Sequence, residues 1–138
     1  MQDRPAFGEL LAAIEHFLDA EIVPNVPGSR GFHARVAANA IRIIRRELEL
    51  EDEVLAAEWA GLDAILGPED RPVARDAARA ALRAREARLC ERIRDGEADS
   101  GVFAARVAGH VRRTVRDKLR ASDPDLLRRS GGREESGE

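Results

Sequence analysis

The sequence has one cysteine, one tryptophan, four phenylalanines and no tyrosine in 138 residues. Cys90 stands alone, so the chain can build neither a disulfide framework nor a Cys-rich zinc site within itself. No apolar run approaches the roughly 18 residues of a membrane span, and the start MQDRPAFGELL lacks the basic-then-apolar order of a signal peptide. A cytoplasmic protein with no membrane contact is expected. A glycine-rich phosphate loop, an HExxH pair and a nucleophile elbow are also missing. No catalytic residue, metal ligand or cofactor is assigned, and a non-enzymatic role is expected.

What the chain has in abundance is alanine and arginine. Twenty-four of its hydrophobic residues are Ala, and Arg outnumbers Lys 22 to 1. With only nine Val and seven Ile the strand formers are sparse, whereas Ala, Leu, Arg and Glu favour helix. The fold class expected is all-α, a four- to five-helix bundle with a thin core of closely packed surfaces. Breakers divide it into helices near 4–23, 32–50, 52–66, 70–94 and 102–121, the acidic stretch ELELEDE leaving the boundary between the second and third ambiguous. Asp3 is expected to cap the first helix, Asp70 the fourth, and Asp123-Pro124 to close the fifth. Residues 1–122 then form a single helical domain, and 123–138 a flexible polar tail.

An internal repeat runs through this pattern. FHARVAANAIRIIRREL, from Phe32, aligns without a gap on FAARVAGHVRRTVRDKL, from Phe103, with eight identities in 17 positions; composition alone gives about two. The economical reading is two related helical hairpins joined by a bridging helix.

Charge alternates by segment: residues 24–48 carry +4, 49–70 carry -8 and 71–94 carry +5. Complementary helix edges follow. Arg71, Arg75, Arg79 and Arg83 share one stripe, which raises nucleic-acid binding, but net acidity and the lack of interleaved aromatics argue against it.

On the second helix, His33 falls within the apolar arc of Phe32, Val36, Ile43 and Ile44 and is expected to be buried, while Arg35, Asn39 and Arg42 lie at its edge. The repeat puts Arg106, His110 and Arg113 at the same edge of the last helix. These residues form the candidate ligand or partner site. Arginines of this kind bind a carboxylate or phosphate, with Asn39 and His110 orienting it; alternatively they pair with the acids of 49–70 in structural salt bridges. Cys90 reads as a packed small apolar residue.

The segments DRPAFGELLAAIEHFLDAEIVP, FHARVAANAIRIIRRELEL, LCERIRDGEADSG and VRDKLRASDPDLL resemble a functionally uncharacterised bacterial family of small helical domains. The resemblance covers about residues 1–127 and is most specific in the DRP start and in FHxRVAxN, here Phe32, His33, Arg35, Val36, Ala37 and Asn39. Members are often encoded beside aminoglycoside/choline-kinase-like phosphotransferases and acyl-CoA dehydrogenases. The resemblance implies an accessory module for a phosphotransferase-family kinase in acyl-CoA-linked metabolism, with His33, Arg35 and Asn39 as a family motif. It departs at the C-terminus, where Leu126-Leu127 replace an aromatic-containing end. Two other readings stay open: a binder of acyl-CoA or a phosphorylated acyl compound through an Arg-lined groove, and a homodimer.

Overall fold

A computed structural model describes residues 5–134, with side chains through residue 130. The architecture is all-α, with five α-helices and no strand among the described residues. They are α1 (Phe7–Phe17), α2 (Ser29–Leu66), α3 (Arg75–Arg94), α4 (Gly101–Ser122) and α5 (Pro124–Glu134), with a π-helical turn, Leu18–Ile22, continuing α1. None of these helices is long and apolar enough to cross a membrane.

Several boundaries differ from those expected. α1 starts at Phe7, where the Glu9 carboxylate accepts the Ala6 amide at 2.8 Å; the proposed cap Asp3 lies outside the described residues. The second and third expected helices are one, α2. Glu and Leu are good helix formers, and no Gly or Pro interrupts the chain between Phe32 and Ala60, so ELELEDE has nothing to break it. Asp70 does not cap α3, which begins at Arg75 behind Ala74. Asp123-Pro124 ends α4 and also starts α5, because Asp123 Oδ1 accepts the Leu126 amide at 3.0 Å and Pro124 takes a first-turn position that needs no donor. Residues 124–134 of the expected tail are therefore helical, while 135–138 lie outside the described residues.

The chain divides into two compact units, one of residues 1–51 and 119–138, the other of 52–118.

In the first unit, α2 buries a stripe of small residues, Gly31, Ala34 and Ala38. Approach there is close: a Cβ on Gly31 would lie 2.0 Å from the Val26 carbonyl oxygen. Ion pairs extend the same face. Arg42 donates to Glu15 at 2.9 Å and to Asp19 at 2.6 Å, and Arg45 reaches the other Glu15 oxygen at 2.6 Å. Burial alone would raise the Glu15 carboxyl, but these hydrogen bonds from Arg45 and Arg42, with their charges, hold it below the usual range. Arg46 donates to the Ala121 carbonyl at 2.8 Å.

Several large apolar side chains of this unit face solvent, while others such as Leu11, Leu18, Ile41 and Ile43 are half-buried. Phe7, Leu10, Ile14 and Phe17 of α1 are 73%, 46%, 48% and 53% exposed, and Phe32 and Val36 of α2 are 61% and 51% exposed.

The second unit holds the main core. Trp59, Leu62 and Ile65 of α2 pack with Leu82 and Leu89 of α3 and Val107 of α4, with Phe103 and Leu55 half-buried against them. Gly67, at φ +99°, ends α2 in a conformation only glycine adopts without strain. Its carbonyl accepts Arg85 at 2.8 Å.

The aligned segments thus meet different environments. Val107 is a core residue and Phe103 is half-buried against that core, whereas their counterparts Val36 and Phe32 are open to solvent.

Candidate functional site

In the second unit, α2 and α4 border a groove of about 330 Å³ lined by Gly61, Ala64, Ile65, Ala105, Arg106, Gly109 and Arg113. Small residues make its walls, so the helices approach closely and the two guanidinium groups are its only charged lining. Arg106 and Arg113 are seven residues apart, about two turns on one face, with Gly109 midway. Both side chains are exposed.

His110 stands beside this groove, buried at 5% exposure. It fits because residue 61 has no side chain: a Cβ there would meet His110 Nδ1 at 2.3 Å. Burial, then the charge of Arg113, pushes the imidazole pKa down; Glu86 opposes this and Lys118 adds to it.

Glu86 of α3 also shares a side-chain hydrogen bond with Glu58 of α2, which requires one proton between two carboxylates. Burial pushes the Glu58 carboxyl up to about 7, reinforced by the hydrogen bond and charge of Glu86 and by Asp117, against Lys118. The sequence does not single out this pair, because its members lie 28 residues apart on two different helices.

The pair has a consequence for stability. A carboxyl raised from 4.5 to about 7 stabilises the fold fully below pH 4.5, and that contribution is lost as pH rises through 7. His110, shifted the other way, contributes stability above pH 6.5 that is lost as pH falls through its lowered pKa. The Glu58 contribution therefore falls between pH 4.5 and about 7 and is gone by pH 8, where the His110 contribution is complete. Glu58→Gln keeps a donor for Glu86 without the charge. Because Glu58 is only half-buried and screened, the variant should gain roughly 1–2 kcal/mol over the parent at pH 8 and nothing at pH 4. Urea unfolding at the two pH values measures this, and an equal gain at both would remove the shared proton as its cause.

A second depression, about 520 Å³, is bordered by Asp52, Leu55, Arg71, Pro72, Val73, Arg75 and Ala78. There Arg75 donates to Asp52 at 3.0 Å.

The expected site residues separate. Arg106, His110 and Arg113 come together at the groove. His33, Arg35 and Asn39 are exposed on the first unit, and Arg42 is engaged by Glu15 and Asp19. His33 is therefore not buried. α2 turns its small-residue stripe inward, which carries the arc of Phe32 and Val36, and His33 with it, outward; the His33 ring makes only an edge contact with Phe32 at 5.7 Å. The acids of 49–70 do form ion pairs, but with α3: Asp52 with Arg75, Asp63 with Arg85 and Glu69 with Arg88. Cys90 is exposed rather than packed. Among the described residues no cluster of three or more His, Cys, Asp or Glu side chains could hold a metal ion.

The family described as Domain of unknown function (DUF6285) matches residues 24–126, about three quarters of the chain. The chain belongs to the DUF6285 family. Comparisons with curated proteins and with solved structures gave no significant match. The DUF6285 match takes in α2, α3 and α4 whole, and with them the groove, His110 and the Glu58–Glu86 pair. α1 precedes the DUF6285 match, and most of α5 follows it.

Proposed function

We propose that the chain is a non-catalytic helical accessory module that docks on a phosphotransferase-like kinase in acyl-CoA-linked metabolism. The observation that carries this reading is the apolar side chains left open on the first unit. Phe32 and Val36 are exposed although the aligned Val107 is in the core and Phe103 packs half-buried against it, and α1 adds Phe7, Leu10, Ile14 and Phe17. Ile44 and Leu48 of α2 are exposed as well, so both helices of this unit offer large apolar side chains to a partner. The choice of a kinase as occupant follows from the resemblance in the DRP and FHxRVAxN segments. The charged lining of the groove is arginine, which stays protonated and binds anions rather than transferring protons.

The test is titration of the purified chain with the purified phosphotransferase-like kinase encoded beside it. A one-to-one complex with a dissociation constant of about 10 μM or tighter is expected, and Phe17→Asp combined with Phe32→Asp should abolish it while leaving the helical circular dichroism intact. No complex at ten times that concentration, or a self-associated chain whose apolar face is already covered by a second copy, would overturn the kinase as occupant.

One observation also favours small-molecule binding, the groove carrying Arg106 and Arg113. It lies in the second unit, so the two readings do not compete for the same residues.

A further inference from the structure

We infer that the groove between α2 and α4 is a binding site for the phosphate group of a small phosphorylated ligand, held between Arg106 and Arg113. The inference deepens the small-molecule reading and is independent of kinase docking.

Three observations support it. First, neither arginine meets a carboxylate among the described residues, although the chain has 26 acids against 23 bases. Other arginines of the same unit are engaged: Arg75 with Asp52, Arg85 with Asp63, Arg88 with Glu69 and Arg92 with Glu97. Two guanidinium groups on the rim of one groove repel each other, and an anion between them removes that repulsion.

Second, the spacing suits one ligand group. Two turns separate the arginines by about 10 Å along the axis, within reach of two long side chains converging on a point above Gly109. A dianionic phosphate offers enough oxygens for both forks, whereas a single carboxylate is matched by one.

Third, the size is limiting. About 330 Å³ is at the lower end of the range for ligand sites, so a small phosphomonoester fits and a whole acyl-CoA does not.

His110 provides an internal reporter. The charged groups acting on it are Arg113 and Lys118, which disfavour its proton, and Glu86, which favours it. A phosphate on Arg113 offsets the first, so the imidazole should take up its proton at higher pH when the ligand is bound.

The experiment is a nuclear magnetic resonance titration of the full chain at pH 7.5 with glycerol 3-phosphate, inorganic phosphate and succinate. Glycerol 3-phosphate is expected to shift the Gly61 and Gly109 amides with sub-millimolar affinity, and inorganic phosphate to shift the same amides. Arg106→Gln and Arg113→Gln should each weaken binding about tenfold or more. Arg83→Gln, which removes one exposed charge from α3, should leave it unchanged. The His110 pKa of the parent should rise on saturation, a readout that requires no variant. The inference is overturned if nothing binds by about 10 mM, if Arg83→Gln weakens binding as much as the groove variants, or if His110 does not respond. Succinate binding as tightly as glycerol 3-phosphate would overturn phosphate as the ligand class.

Discussion

Replacing Arg85 with alanine is expected to cost about 2–4 kcal/mol, from the cavity left by a buried side chain and the two hydrogen bonds it no longer makes. Arg85 is 1% exposed. Its guanidinium donates to Asp63 Oδ1 at 2.7 Å and to the Gly67 carbonyl at 2.8 Å, and lies 4.7 Å over the Trp59 ring. Trp59 in turn donates to the Glu69 carbonyl at 3.1 Å, and the Glu69 amide to Asp63 at 3.3 Å. One side chain thus ties the end of α2 and its following loop to α3. Alanine leaves the Asp63 carboxylate and the Gly67 carbonyl without their donor and opens a cavity beside Trp59. Methionine fills much of that cavity, so Arg85→Met should lose less than Arg85→Ala by about 1–2 kcal/mol. Adding Asp63→Ala to Arg85→Met should cost little more, since the unpaired charge is then gone. Urea unfolding at pH 7 measures all three variants. A loss below about 1 kcal/mol for Arg85→Ala would show that water replaces the guanidinium.

Gly61→Ala sets two effects of opposite sign against each other. In a helix interior alanine is intrinsically better than glycine by about 1 kcal/mol. Against this, the new Cβ would lie 2.3 Å from His110 Nδ1 and 2.9 Å from its Cε1. His110 is a buried ring, not the free end of a flexible chain. Overpacking of this kind costs about 1–3 kcal/mol or somewhat more, so the clash should win and the net loss should be about 1–2 kcal/mol. Pushing the ring toward solvent should also bring its titration closer to that of an ordinary histidine. The double variant Gly61→Ala, His110→Ala should remove the clash, leaving the alanine at 61 neutral or stabilising. Net stabilisation by Gly61→Ala alone would mean that the ring moves aside without cost.

Part of this organisation is legible in the sequence. Glycine and proline mark most helix ends, and α4 falls within one residue of its expected range because a glycine opens it and Asp123-Pro124 follows it. Arg106, His110 and Arg113 are readable as a group because a period of 3.6 places them on neighbouring turns of one helix. Arg85 is not readable, as it is one of eight arginines between residues 71 and 94 and nothing local distinguishes the buried one. Glu58 and Glu86 are likewise ordinary helix acids until two helices bring them together.

The choice of buried face shows the division most clearly. Composition alone determined an all-α chain, because its abundant residues are helix formers and its strand formers are few. Hydrophobic periodicity marked Phe32 and Val36 as part of a buried arc, yet both are exposed, while the aligned Val107 is buried and Phe103 half-buried. A helix rich in alanine has two faces that can be buried: a broad one of large apolar side chains, or a narrow one of small residues that lets backbones approach. The tertiary structure chose the small face at Gly31, Ala34 and Ala38, where α1 supplies Glu15 to Arg42 and Arg45 and the π-helical turn after it supplies Asp19 to Arg42. That choice depends on residues more than twenty positions away in the chain, which no local pattern contains.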